Sequence, residues 1–138
     1  MSPQEAYNEL ALYTLSKGDS NFIHQYIVDA FCAQNANENT KPVAITFALV
    51  GLYLHLEKNY TGREVQLAHI KLAEKRKEWI KFDIPKDTGG IIVFDVLKAK
   101  EGDDRDNMIN KWSVSVWQAY KGSHSKVANC VRTVLAQL

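Results

Sequence analysis

Between Pro42 and Leu56 the chain is almost free of polar side chains, running through Val43, Ala44, Ile45, Phe47, Ala48, Leu49, Val50, Leu52, Leu54 and Leu56. A membrane span needs about 20 such residues, so this run is too short for one. It predicts a helix, from about 41 to 59, that is apolar nearly all round. A helix with no polar stripe must be surrounded by other elements. The chain is therefore expected to be all-α, a helical bundle of about six helices built around this one. Gly51 inside the run costs about 1 kcal/mol against Ala. That cost points to a close helix–helix approach or to a small residue beside a pocket.

The remaining segments read as helices separated by short polar breaks. Ser2 caps a first helix with Pro3 at its first position, bearing Tyr7, Leu10, Ala11 and Leu15 and stopped at Gly18. Asp19 or Ser20 is expected to cap a second helix reaching about Asn35. Thr40 is expected to cap the central helix. Thr61 and Glu64 form a capping box that opens a fourth helix to about Trp79. One long irregular loop, about 81–92, contains Pro85, Asp87, Gly89 and Gly90. Weak alternation of Phe82/Ile84 with Ile91/Val93 allows a short hairpin across 81–95, and a short helix is expected over Val93–Lys98. Asp103 or Asp104 should cap a helix to Tyr120. A last helix follows, with Val127, Val131, Val134, Leu135 and Leu138 at helical spacing. No repeat or domain boundary interrupts residues 1–138, which read as a single helical domain.

Composition excludes several function classes. A formal net charge of +1 lacks the footprint of a nucleic-acid binder. The basic run Lys71, Lys75, Arg76, Lys77 and Lys81 is interleaved with Glu74 and Glu78, as on a solvated helix face. Neither nucleic acid nor membrane is expected as a partner. Cys32 and Cys130 lie among apolar residues and are expected to be buried free thiols. With no signal peptide at Met1–Glu5, the expected location is cytoplasmic.

Phosphate loops, Cys-x-x-Cys pairs, His-Glu-x-x-His and nucleophile elbows are all missing from the sequence, so no cofactor and no metal is expected. What remains is a set of polar and aromatic residues on apolar faces, His24, Asp29, Gln34, His55, His124 and Trp117, candidates for ligand binding or for a polar core. His24 begins helix two and His55 ends helix three, so antiparallel packing should bring the two imidazoles to a similar height. His55 is expected to be desolvated. His124 sits at a helix start on the apolar stripe of the last helix. Asp29 lies about 140° round its helix from His24, so it should bond another element. Gln34 falls on the buried stripe of helix two and is expected to tie down the loop Ala36–Thr40. Trp112 and Tyr120 belong to the core stripe of their helix. Trp117 falls outside that stripe and is expected to cover the irregular loop, whose carbonyls would accept from its indole.

The runs FIHQYIVDAFCAQ (22–34), KPVAITFALVGLYLHLEKNYTGREVQ (41–66) and WSVSVWQAY (112–120) resemble a family of small bacterial helical proteins catalogued as a domain of unknown function. The resemblance rests on His24, Asp29, Gln34, His55 and the two tryptophans, and implies no activity. Some members of that family begin with a cysteine pair suggestive of a zinc knuckle; this chain has none. The sequence therefore points to a small helical binding or interaction module, with a homodimer as one form of it. The alternative is a metal-dependent or His-assisted enzyme whose site lies between helices two and three.

Overall fold

A computed structural model describes residues 1–75 and 78–135. Seven α-helices occur in this part: α1 (Pro3–Ser16), α2 (His24–Gln34), α3 (Pro42–Lys58), α4 (Gly62–Lys75), α5 (Val93–Lys98), α6 (Asp103–Ala119) and α7 (His124–Val134). A single 3₁₀ turn, Lys121–Ser123, links the last two, and no strand forms among the described residues. The all-α expectation holds.

Helix α3 is the centre, as its composition demands. It packs against α2, α4, α6 and α7 and buries Ile45, Ala48, Leu49, Val50, Leu52 and Leu54. The other helices each turn one stripe inward: Ala6 and Leu10 from α1, Val65 and Leu72 from α4, Ile109, Trp112 and Val116 from α6, and Val127 from α7. Leu15, expected on the inner face of α1, is exposed, and Thr14 takes the inward position instead. Among the described residues no helix is long and apolar enough to cross a membrane.

Helix ends decide how the layers join. Ser2 and Glu5 form a reciprocal capping box at α1, and Thr61 and Glu64 form the one expected at α4. Three other starts differ from expectation. Helix α2 begins at His24 rather than near residue 20, because Asp19 spends its carboxylate on the Ile23 amide and Phe22 adopts φ +55°. A non-glycine residue there carries strain of about 1 kcal/mol or more. Thr40 does not cap α3: its hydroxyl accepts from the Asn37 amide and closes the preceding turn. Helix α6 follows Gly102, not an aspartate cap, and Asp103, Asp104 and Asp106 fill its first turn, where the helix dipole favours them.

Tyr13 clamps α1 to α6 by donating to Asp106 Oδ1 (2.8 Å) and accepting from the Gly102 amide (2.9 Å). The hairpin allowed across 81–95 does not form. Pro85 lacks a donor, Gly89 turns the chain at φ +112°, and the carbonyls of Thr88 and Ile91 are bonded to a side chain. The short helix over Val93–Lys98 does form. Lys71, Lys75 and Lys81 are exposed, as a solvated face requires. The expectations for Arg76, Lys77 and Leu138, and for α4 through residues 76 and 77, lie outside the described residues; Trp79 itself is not helical.

Candidate functional site

Asp29 sits where α2 crosses α3 and is only 3% exposed. Its carboxylate lies in the space left by Gly51: a Cβ there would stand 2.0 Å from Asp29 Oδ2. Gly51 is thus a socket for a buried carboxyl rather than a point of bare backbone contact. Gln25, one turn earlier on the same helix, donates to Oδ1 at 3.2 Å. The expected bond to another element is replaced by this i,i+4 bond, since Gly51 offers space but no donor. Burial pushes the carboxyl well above its ordinary range, and the Gln25 amide only partly offsets it. Burial thus favours its protonated form.

The histidines do not converge. His24 Nδ1 bonds the Thr14 hydroxyl of α1 at 2.9 Å. His55 stacks on Tyr26 with ring centroids 3.6 Å apart and an interplanar angle of 14°. Two residues of helix separate His24 from Tyr26, about 200° of rotation. The imidazoles therefore address opposite sides of α2, and similar height alone does not bring them together. Burial lowers the pKa of both. For His55, the Tyr60 backbone and the Asn110 side chain oppose that in part. His55 Nε2 is sealed from solvent without a hydrogen-bond partner among the described residues. His69 bonds the Phe47 carbonyl at 2.8 Å and stacks on its ring. Among the described residues no group of three or more His, Cys, Asp or Glu is placed to hold a metal ion. Neither cysteine forms a disulfide; Cys130 is buried and Cys32 half-buried.

Gln34 is a junction of three elements. Its Nε2 donates to the Ile91 carbonyl (2.7 Å) and the Thr88 carbonyl (3.4 Å), while Oε1 accepts from the Trp112 indole at 2.8 Å. It therefore ties down the second half of the irregular loop and fixes it to α6. The loop Ala36–Thr40, its expected partner, closes on itself through Asn37 and Thr40. Trp117 also departs from expectation. Its indole donates to Glu57 Oε1 at 3.1 Å, and its ring stacks on His124 at 3.8 Å. His124 Nε2 in turn bonds the Trp117 carbonyl at 2.8 Å. Trp117 thus seals the end of α3 against α7 and not the loop, because its indole finds its acceptor in the Glu57 carboxylate of α3. Tyr120 donates to the Ala33 carbonyl at 2.6 Å, and burial pushes its hydroxyl up to about 12.

An open groove lies elsewhere, beside the first half of the loop. It is a solvent-facing groove of about 700 Å³, between the turn after α2 and residues 81–85. Its floor is apolar, with Pro42, Ile45, Phe82, Ile84 and Pro85; its rim carries Asn37, Glu38, Thr40, Lys81 and Asp83. Residues 79–85 run along it without turn or bend. Phe82 is buried while Lys81 and Asp83 are exposed, the alternation of a strand. Within the described residues the backbone of 81–86 makes no hydrogen bond. A smaller depression of about 190 Å³ lies behind Asp83–Pro85, against Tyr120 and Ser123.

The sequence model of a family of unknown function, DUF5946, matches residues 3–121. The chain belongs to this family. No curated protein and no solved structure matches the chain. The family match spans α1 to α6, and so takes in the Asp29–Gly51 socket, the Gln34 junction, His24, His55, Trp117 and the groove. Helix α7 and His124 lie beyond it.

Proposed function

We propose that this member of the family is a small cytoplasmic binding module that takes an extended polypeptide segment into the groove between the α2–α3 turn and residues 81–85. The observation that carries this reading is the free main chain of 81–85, unbent along an open groove with an apolar floor. An extended peptide laid beside such an edge supplies the missing hydrogen bonds and places alternate side chains on the floor. Five residues of extended chain cover about 17 Å, a length suited to residues 81–85. A net charge of +1 gives nucleic acid no general attraction. Two cysteines outside any disulfide suit a reducing compartment.

Panning a phage-displayed library of random peptides against the full chain tests the proposal. The expected outcome is enrichment of peptides with apolar residues at alternate positions. Their binding should weaken at least about tenfold in Ile84→Asp, from the lost burial of one aliphatic side chain. Peptides that bind Ile84→Asp as well as the parent, or no enrichment over an unrelated helical protein, would sink the idea. The His-assisted alternative loses its geometric basis, because His24 and His55 face opposite sides of α2.

A further inference from the structure

The outer face of α4 carries a second surface, remote from the groove in its chemistry. Leu67 and Ile70 are 54% and 52% exposed. With Arg63 and Glu74, both exposed, they fall four, three and four residues apart. This is the spacing of a coiled-coil seam, on the side of the helix opposite the buried Val65, Ala68 and Leu72. Isolated exposed aliphatics need no explanation. A seam that is complementary to itself does.

Consider a second α4 antiparallel to the first, about a two-fold axis passing midway between residues 68 and 69. Arg63 then lies opposite the second copy's Glu74, and Leu67 opposite its Ile70. On the flank, Glu64 lies beside the second copy's Lys71, as paired flanking positions do in antiparallel coiled coils. The symmetry doubles every contact. Four ion pairs thus bracket four aliphatic side chains, with no like charges opposed at these positions. Shifting either helix by one turn would set Leu67 against Glu74 in one direction or Ile70 against Arg63 in the other, so the register is specified. A parallel pairing would stack Arg63 on Arg63 and Glu74 on Glu74.

We infer that α4 is a homodimer interface, its occupant a second copy of this chain paired antiparallel through Arg63, Leu67, Ile70 and Glu74. The helix pair is short, so its area falls below the ~800 Å² per partner of a standard interface. The dimer should accordingly form and part with concentration. The inference does not depend on the groove.

Sedimentation velocity of the full chain over a wide concentration range reads it directly, with circular dichroism melts to show that each variant folds. The parent is expected to move from monomer to dimer as concentration rises. Glu74→Arg turns two attractive pairs into two repulsive ones, so its dissociation constant should rise by about tenfold or more. The double variant Arg63→Glu/Glu74→Arg restores opposite charges and should recover the dimer, an outcome that a merely structural role for either residue cannot produce. Leu67→Asp should leave a folded monomer. A parent that stays monomeric at every concentration would overturn the inference. So would a dimer indifferent to Glu74→Arg, or a double variant no better than the single one.

Discussion

Asp29 carries the sharpest residue-scale consequence. Its carboxyl is raised in the folded chain by burial, so between the unfolded value near 3.9 and the raised folded value the native state binds the extra proton. Stability contributed by this group is therefore complete below the unfolded pKa and falls as pH rises towards the folded one. Asp29→Asn removes the titration while keeping the shape that fills the Gly51 socket. The variant is expected to match the parent at pH 4 and to melt several degrees higher at pH 8, in thermal scans at the two pH values. A parent-like pH slope in the variant would assign the effect elsewhere. The histidines bend the acid limb the opposite way. His24, His55 and His69 have lowered pKa values, so their contribution is whole above about 6.5 and is lost as pH falls. The same socket makes Gly51 intolerant. Gly51→Ala places a methyl 2.0 Å from Asp29 Oδ2 and should cost about 1–3 kcal/mol in denaturant melts. Adding Asp29→Ala should return part of that loss; strict additivity would mean that the two residues do not share the space.

At the scale of elements, the Gln34 side chain ties the second half of the irregular loop to the bundle. Gln34→Leu leaves the Trp112 indole and the carbonyls of Thr88 and Ile91 without their partners. The expected loss is about 1–3 kcal/mol, with faster amide exchange over residues 87–92 and little change in α7. Uniform loss of protection across the whole chain would contradict a local role. The periodicity of α2 places Gln34 on the buried stripe, and that much is legible in the sequence. Its partners are not, because they lie 54 and 57 residues away and no local pattern encodes that distance. Trp117 teaches the same lesson. Its need for an acceptor follows from its chemistry, but Glu57 becomes that acceptor only once α3 and α6 have packed. Helix starts fail for a different reason. Asp19 and Thr40 are good caps by type, and each spends its oxygen on a turn that precedes the helix.

For the molecule as a whole, the near-total apolarity of 42–56 dictates a surrounded helix, and α2, α4, α6 and α7 pack to cover it. This is why the all-α architecture can be read from sequence. The seam on α4 is also present in the sequence, yet α4 looks there like a single amphipathic helix until burial shows which side the core uses. The groove is the least legible part. Residues 79–86 show only weak alternation, and nothing local reveals that the chain beside them leaves an opening instead of a partner strand. The central claim, that this free edge binds an extended peptide, is tested most directly by amide hydrogen exchange at Lys81, Phe82, Asp83 and Ile84. Without peptide these amides should exchange fast, since no backbone bond protects them. With a peptide selected by panning, they should slow at least about tenfold, the population shift expected from tight occupancy. Slow exchange in the free chain, or rates unchanged by a peptide that demonstrably binds, would contradict the account.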